Sequence, residues 1–274
     1  MSSFTAACVQ MRSGMDPATN VEAASGLIRR AAAAGADLIA TPEMTSLMVR
    51  TREQLFEQVQ DEANDPALAT FQALAGELGI HLLIGSLAIR LSAERCANRS
   101  FLIGPDSDIL ARYDKLHMFD VDVDEDNRWQ ESATYQAGDT ACLAETPLGQ
   151  IGLTICYDVR FAALYTALAQ AGADILTVPA AFTAVTGEAH WHTLLRARAI
   201  ETGCYIIAPA QSGLHEDGRE TYGHSLIINP WGEIIGQAET SDPGIVVAEI
   251  DLEQVKQARA RIPSLKHGRE IRLA

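Results

Sequence analysis

The sequence lacks the signals that mark several classes of protein. Its 274 residues contain no CxxC pair, and the five cysteines are scattered, at positions 8, 96, 142, 156 and 204. Such a set is typical of reduced thiols in the cytoplasm and argues against a disulfide framework or a zinc site. No apolar run reaches the ~18–20 residues that cross a bilayer, and the N-terminus has no pattern of a signal peptide. We therefore expect a cytoplasmic protein.

Positive charge is also scarce. Lysine and arginine total 21 against 36 aspartates and glutamates, for a formal charge of −15. Nucleic acids and anionic membranes attract basic surfaces, so neither is an expected partner. The acidic stretch 120–132 is predicted to be a solvated loop. We expect one domain over residues 1–274, with a basic extended tail from about residue 256 that packs on a partner subunit or frays.

Apolar periodicity predicts strands that alternate with helices. Period-2 runs predict strands over residues 4–11 and 80–90, and "SFLIGP" with "DILARYDK" predicts a hairpin. Alanine-rich segments predict helices over 20–35 and about 66–79. This alternation indicates an α/β layer architecture.

Two segments of the chain align without gaps. "AGADLIATPE" (34–43) and "AGADILTVPA" (171–180) both follow an alanine-rich helix and share Ala, Gly, Ala, Asp and Pro at matching places. Either helix–glycine–strand units are simply alike in composition, or the chain holds an internal pseudo-repeat of two related α/β halves. The residue after the proline is Glu43 in the first segment and Ala180 in the second, so the carboxylate is not repeated.

Cys156 stands where a predicted strand, "IGLTI", runs into a predicted helix. A cysteine at such a turn is placed like the nucleophile elbow of hydrolases, and the adjacent helix N–H groups favour the thiolate. The alternative is a buried structural cysteine, which is common. The sequence has no HExxH, GxSxG or glycine-rich phosphate loop, and a cysteine–histidine dyad stays open without a signature to support it.

Two further charged residues follow predicted strands. Glu43 comes after Pro42 at the end of an apolar strand, where burial would raise its pKa toward the range of a general base. Lys115 lies in "ARYDKLHMFDVD", where a lysine in partly apolar surroundings can hold an oxyanion. The alternatives are an acid in the first turn of a helix for Glu43 and a surface lysine for Lys115.

These three residues stand in the order and contexts of a known family. The chain resembles the nitrilase superfamily of carbon–nitrogen hydrolases: "LIATPEM" is similar to its glutamate motif, "YDKLHMFD" to its lysine motif and "GLTICYDVRF" to its cysteine motif. The resemblance continues through residues 186–211 and 222–235. It implies a four-layer α-β-β-α sandwich, a homodimer or higher homo-oligomer, and no metal or organic cofactor.

The resemblance also implies a mechanism. Glu43 would accept the thiol proton and later activate water, and Cys156 would attack an amide carbonyl to form a thioester. Lys115 and the backbone N–H of Tyr157 would hold the oxyanion. Glu131, in "WQESATYQAGD", matches the family's second glutamate, which orients the lysine.

Segments such as "RARAIE" and "YGHS" resemble the branch that holds deaminated glutathione amidase and omega-amidase. We therefore expect hydrolysis of the terminal amide of a small carboxylate-bearing substrate to acid and ammonia. An N-carbamoyl amino-acid hydrolase on the same fold and a catalytically silent binding protein are the alternatives.

Four further residues are predicted to bind the substrate. Arg160 stands one helical turn after Cys156, where a guanidinium would pair with a carboxylate. Phe182, Thr186 and His190 fall in a segment that resembles the family's pocket wall, although a core aromatic and a capping threonine are the alternatives for the first two. The cysteine motif departs from the family pattern at Ala163, where a glutamate is usual, which leaves the exact substrate open.

Overall fold

A computed structural model describes residues 3–122, 128–269 and 272. Its strands are β1 Ser3–Gln10, β2 Leu38–Ala40, β3 His81–Arg90, β4 Cys96–Ile103, β5 Ile109–Asp114, β6 Asp120–Asp122, β7 Arg128–Gln130, β8 Cys142–Thr146, β9 Gly149–Leu153, β10 Ile175–Thr177, β11 Tyr205–Ala208, β12 Ser212–Leu214, β13 Glu220–Tyr222, β14 Leu226–Ile228, β15 Ile234–Gln237 and β16 Gly244–Asp251. Its α-helices are α1 Pro17–Ala33, α2 Arg52–Gln58, α3 Pro66–Leu78, α4 Ala162–Gln170, α5 Ala184–Thr202 and α6 Leu252–Arg261.

Two six-stranded sheets repeat one topology. The first has the order β16-β1-β2-β3-β4-β5, and the second, read in the matching direction, has the order β8-β9-β10-β11-β14-β15. In each sheet the second, third and fourth strands are mutually parallel, and every other neighbour is antiparallel. The aligned segments of the sequence contribute β2 and β10, which are the third strand of each sheet. The internal pseudo-repeat is therefore confirmed at the level of fold.

The sheets pack face to face with helices outside them. On β1, Ala6 and Cys8 point into the core shared with the second sheet, whereas Ala7 and Val9 point into the core beneath α1 and α3. The predicted α-β-β-α sandwich is confirmed. A strand covered on both faces must be apolar at successive positions, which explains why all but the last residue of β3 is buried.

Local signals set the helix ends. The Asp16 side chain accepts a hydrogen bond from the Thr19 N–H at 2.8 Å, and Pro17 occupies the first helical position, so α1 begins three residues before the predicted start. Asp65 caps α3 in the same way, and Gly79 ends it with a φ of 66°. Both predicted helices are confirmed.

Three predictions of local structure are wrong. Within the supposed acidic loop, β6 and β7 pair as an antiparallel ribbon; residues 123–127 lie outside the described part. The supposed tail begins inside α6, because Val255 and Ala258 form a buried stripe at helical spacing; residues 270, 271, 273 and 274 lie outside the described part. No α-helix starts at Cys156, since a short 3₁₀ helix, Cys156–Arg160, precedes α4.

One glycine lets the two central strands approach each other near the end of β2. A Cβ on Gly85 of β3 would lie 2.0 Å from the Thr41 carbonyl oxygen, closer than any side chain tolerates. The β3–β4 register shifts at the same place, between Ile84 and Leu87. This close contact fixes the path of the backbone that leads to Glu43.

Among the described residues, no helix is long and apolar enough to span a membrane.

Candidate active site

The three motif residues meet where strands of both sheets end. Glu43 follows β2 and Lys115 follows β5 in the first sheet, whereas Cys156 follows β9 in the second. All three are buried, with exposed fractions of 5%, 2% and 6%. The site therefore lies between the two sheets, at the floor of a pocket of about 350 Å³.

The Glu43 carboxylate is held by three donors. Lys115 Nζ and Asn98 Nδ2 both donate to Glu43 Oε1 at 2.9 Å, and the Ala181 N–H donates to Oε2 at 2.8 Å. The Cys156 thiol lies close enough to this carboxylate for the two groups to shift each other's pKa. Donors from both sheets thus hold one carboxylate beside the thiol.

A second carboxylate shares the lysine. Glu131 lies in a 3₁₀ turn after β7 and accepts from Lys115 Nζ at 2.8 Å and from the Phe119 N–H at 2.7 Å. Asn98 donates to Glu131 Oε1 at 3.0 Å as well as to Glu43, so it bridges the two acids. The structure brings Glu131 to Lys115, as the resemblance implied. Asn98 was missed, because an asparagine inside an apolar strand carries no motif.

The ionisation states follow from these contacts. Burial alone would raise the Glu43 pKa, but the charge of Lys115 and the donors around the carboxylate outweigh it and hold the pKa below its usual value. Burial would lower the Lys115 pKa, but Glu131 and Glu43 raise it well above the ordinary range. Burial and the Glu43 charge raise the Cys156 pKa. The resting site holds a carboxylate, an ammonium and a neutral thiol.

Two expectations about these pKa values are therefore wrong. Glu43 was expected to have a raised pKa, but its buried carboxylate has a cation at hydrogen-bond distance. Cys156 was expected to favour the thiolate next to a helix start. The residues that follow it form a short 3₁₀ turn and not the start of an α-helix, and burial together with the neighbouring Glu43 charge raises the pKa of the thiol.

The backbone at Cys156 has the form of an elbow. Its φ is +47°, in the left-handed region that costs a non-glycine residue about 1–3 kcal/mol. Its own N–H donates to the Pro179 carbonyl at 2.9 Å. Met44, directly after Glu43, has a φ of +54°. Strained backbone thus lies at or beside two of the three motif residues.

A buried aspartate holds this elbow against the lysine loop. Asp158 is fully buried, and its Oδ2 accepts from the Ile155 N–H at 2.8 Å and from the Tyr113 hydroxyl at 2.7 Å. Its Oδ1 lies 3.1 Å from the His117 N–H and 2.6 Å from His117 Nδ1. Asp158 was not predicted from the sequence, where it is one acid two residues after the cysteine; its burial in the structure shows that it is not a surface acid.

The predicted substrate-binding residues divide into two groups. Phe182 and Thr186 line the pocket, and so does Tyr157, the residue predicted for the oxyanion site. Phe182 also packs on Trp191 in the core, so its structural alternative holds together with its pocket position. Thr186 lies inside α5 and is not its cap: the cap residue is Thr183, whose hydroxyl lies 2.8 Å from that of Thr186 and makes no capping hydrogen bond.

Arg160 and His190 are not among the residues that line the pocket. The Arg160 guanidinium lies 3.3 Å from His190 Nδ1 and stacks on Phe182. The helical-turn argument for Arg160 fails because residues 156–160 are 3₁₀, where i and i+4 no longer share a face. Ala163 is exposed on α4 and also lies outside the pocket lining, so the departure from the family motif falls away from the pocket.

The pocket wall also contains residues that sequence reasoning missed. Aromatic and basic side chains come from the segment before α2, from β7 and from the turn before β13; they include Arg50, Trp129 and Arg219.

No group of three or more metal-ligating side chains occurs within the described ranges. The expectation of no metal and no organic cofactor stays a prediction.

Known proteins share this architecture. Residues 5–260 match the family model described as Carbon-nitrogen hydrolase. The deaminated glutathione amidase of Synechocystis sp. is 42% identical over 274 residues, covering 97% of this chain and 98% of that protein. The crystal structure of the C. elegans NitFhit protein has a TM-score of 0.91 at 36% identity, covering 98% of this chain and 66% of that one.

A mutant of the amidase from Nesterenkonia sp. is also similar. It has a TM-score of 0.79 at 25% identity, covering 95% of this chain and 98% of that chain. Its structure shows the result of Michael addition of acrylamide at the active site cysteine.

The role of Asp158 as a clamp can be tested by Asp158→Asn. The amide cannot accept all four hydrogen bonds, and hydrogen bonds to charged groups are worth about 1.5–3 kcal/mol. We expect the free energy of unfolding in urea to fall by about that amount. Asp139→Asn, at an exposed position, should change it by less than about 0.5 kcal/mol. Equal stability of the two variants would show that Asp158 is not a clamp.

Proposed function

The chain belongs to the carbon–nitrogen hydrolase family, and from that premise we propose that it is an amidase in which Cys156 is the nucleophile. One observation carries the proposal: Glu43, Lys115 and Cys156 come from two sheets and meet, buried, at the floor of one pocket. A structural cysteine would not require an ion pair beside it. The named active site cysteine of the Nesterenkonia amidase supports this assignment.

The first half of the reaction forms a thioester. Because the thiol is neutral at rest, its proton passes to Glu43 as Sγ attacks the amide carbonyl and the carbonyl electrons move to oxygen. Lys115 Nζ and the Tyr157 N–H stabilise that oxyanion. Within residues 3–122, 128–269 and 272, the Tyr157 N–H has no acceptor, whereas that of Cys156 is taken by Pro179. Glu43 then protonates the departing nitrogen, and the C–N bond breaks.

The second half uses the same carboxylate. Glu43 accepts a proton from water as the water oxygen attacks the thioester carbonyl, and the C–S bond breaks when the oxyanion collapses. The proton returns to sulfur, which restores the thiol. Glu131 and Asn98 hold Lys115 and Glu43 in place and are positioning residues in this scheme.

We propose a substrate with at least one carboxylate. Deaminated glutathione is the first candidate, because the Synechocystis relative is named for it, and omega-amides of α-keto acids are the second. The leaving groups differ: an omega-amide releases ammonia, whereas the scissile amide of deaminated glutathione joins the keto-acyl group to cysteinylglycine. The expectation of ammonia therefore applies to the second candidate alone. Tyr157, Phe182 and Thr186 line the space for either acyl group.

The nucleophile is tested by product formation from both amides. We expect Cys156→Ala to lose activity by at least about 10³-fold, and Glu43→Gln by about 10²–10⁴-fold. Cys142→Ala, which removes a thiol that does not line the pocket, should keep wild-type activity. Mass spectrometry of the quenched wild type should find the acyl group on Cys156. Equal rates in Cys156→Ala and wild type would exclude the thioester route.

The same assay separates the alternatives. With an N-carbamoyl amino acid added as a third substrate, an N-carbamoyl amino-acid hydrolase would release carbon dioxide and ammonia from it, using the same three residues. A silent binding protein would turn over neither amide and leave Cys156 no more reactive toward iodoacetamide than the other four cysteines.

The pH profile tests the ionisation states. Glu43 must be ionised, and its pKa lies below the ordinary 4.5, so kcat/KM should fall only below that value. Lys115 must be protonated, and its pKa lies above 10.5, so the alkaline limb should lie above that. We expect a flat profile between about pH 6 and 9, with circular dichroism as the control for folding. A limb near the histidine pKa of about 6.5 would contradict Glu43 as the base.

We propose, further, a homodimer. Ile200, Trp231 and Ile262 are about half exposed and line one shallow depression beside the ends of α5 and α6. Exposed apolar side chains that gather at one place favour an interaction surface, and a second copy of this chain fits the assembly that the family resemblance implies. The predictions of a cytoplasmic location and of one domain over the whole chain stay proposals.

Light scattering with size-exclusion chromatography tests the dimer. Ile200→Glu places a charge in the apolar depression, so we expect the mass to fall from that of a dimer to 29.5 kDa. Leu91→Glu, at an exposed leucine outside that depression, should leave the mass unchanged. A monomeric wild type, or a dimer that survives Ile200→Glu, would exclude this surface as the interface.

A further inference from the structure

Basic side chains gather at the pocket rim of a strongly acidic protein. Although the chain has a formal charge of −15, four arginines line this one pocket. Among the described residues, the acids of the lining are Glu43 and Glu131, which already hold Lys115, and Glu220. The rim is therefore the part of the pocket where electrostatic attraction of a negatively charged ligand is strongest.

Two of these arginines share one indole ring. The Arg219 guanidinium carbon lies 5.0 Å from the centre of the Trp129 ring, and that of Arg50 lies 5.9 Å from it. The three residues come from three separate segments: the turn before β13, β7 and the turn before α2. Stacking on a ring face orients a guanidinium and leaves its edge N–H donors unused.

The two arginines differ in their other partners. Arg219 Nε lies 3.0 Å from Asp217 Oδ2, and its Nη2 donates to the Val49 carbonyl at 2.9 Å, so its position is fixed and its charge is balanced. Arg50 makes no hydrogen bond or ion pair to any described residue. Within the described part of the chain, stacking on Trp129 is thus the contact that holds this planar group of five donors beside the pocket.

The other rim arginines are less available. Arg52 donates to the Glu94 carbonyl at 3.0 Å and lies over Phe56. Arg128 lies 3.1 Å from Asp122. Arg160, the residue first expected to bind a carboxylate, lies outside the lining. Arg50 is therefore the arginine of the lining whose N–H donors are most available to a ligand.

We propose that Arg50, supported by Trp129 and Arg219, binds a carboxylate of the substrate that is remote from the scissile amide. This inference rests on the proposed amidase function and specifies its substrate class: an amide with an anionic group at the far end from the carbonyl attacked by Cys156. The guanidinium edge offers paired N–H groups that match the two carboxylate oxygens. Affinity for the charged substrate then depends on Arg50 at the pocket rim. Cleavage of the amide bond depends on the three residues at the pocket floor.

Paired substrates separate recognition from chemistry. Glutaramate and glutaramide differ only in a carboxylate against a carboxamide at the acyl end. Deaminated glutathione and its analogue with a glycine carboxamide differ in the same way at the leaving-group end. We expect Arg50→Gln to raise KM for the acid of at least one pair by about 10- to 100-fold. The KM of the neutral partner and all kcat values should stay within about twofold, and the affected pair identifies the end that is bound.

Two variants control this experiment. Arg29→Gln removes one positive charge from an exposed arginine on α1 and should change no KM. Arg50→Lys keeps the positive charge but loses the planar pair of N–H donors. We therefore expect its KM for the acid to lie between those of the wild type and Arg50→Gln. Equal KM changes for acid and amide, or no change for either acid, would overturn the assignment of Arg50.

A binding measurement keeps the proposal testable without turnover. Cys156→Ala protein, titrated calorimetrically with deaminated glutathione and with glutaramate, should bind at least one of them, and adding Arg50→Gln should weaken that binding by about 10- to 100-fold. If neither acid is hydrolysed but one binds through Arg50, the amidase function fails and the carboxylate site stands. If turnover is normal and Arg50→Gln has no effect on any constant, the function stands and the carboxylate site fails.

Discussion

The Lys115 ammonium, shared by two carboxylates in a buried site, is the interaction on which the rest of the site depends. A buried cation is costly unless it is paired and hydrogen-bonded, and here Glu43 and Glu131 lie 2.9 and 2.8 Å from it. That pairing keeps Glu43 ionised and accepting beside the thiol of Cys156, and the negative charge in turn keeps the thiol protonated. One cation thus determines the protonation state of all three groups, and Asn98 prevents the two acids from drifting apart.

The doubled fold explains how these groups come together. Each sheet has three parallel strands at its centre, and residues that follow such strands gather at one edge. Packing the two sheets face to face brings Glu43, after β2, to Ala181, four residues after β10, whose N–H donates to the carboxylate at 2.8 Å. Equivalent turns of the two halves therefore supply different groups: a side chain from the first and a backbone N–H from the second.

Much of this could be predicted from the sequence, and the remainder has physical reasons. The helices over α1 and α3, the repeat and the meeting of Glu43, Lys115 and Cys156 carry local signals or motifs. Asn98 and Asp158 do not, because their importance comes from partners 33 to 55 residues away in the chain. The directions of the pKa shifts could not be predicted from the sequence either. Burial and a paired charge shift a pKa in opposite directions, and the distance between the charges decides which effect is larger. For Arg160 the periodicity of an α-helix was applied to a 3₁₀ turn, and its guanidinium lies over Tyr157 and Phe182 at the pocket wall; its role stays a prediction.

The placement of the proposed nucleophile, Cys156, after a strand of one sheet and of its proposed base, Glu43, after a strand of the other has a consequence for biosynthesis. Residues up to Lys115 carry the acid and the cation, and the thiol is added only after the next forty or so residues emerge. A nascent first half therefore holds no reactive cysteine at this site, and a second half alone holds a thiol with neither base nor cation. The proposed chemistry requires both sheets to be docked, so the activity of this protein would itself report that the two halves have come together.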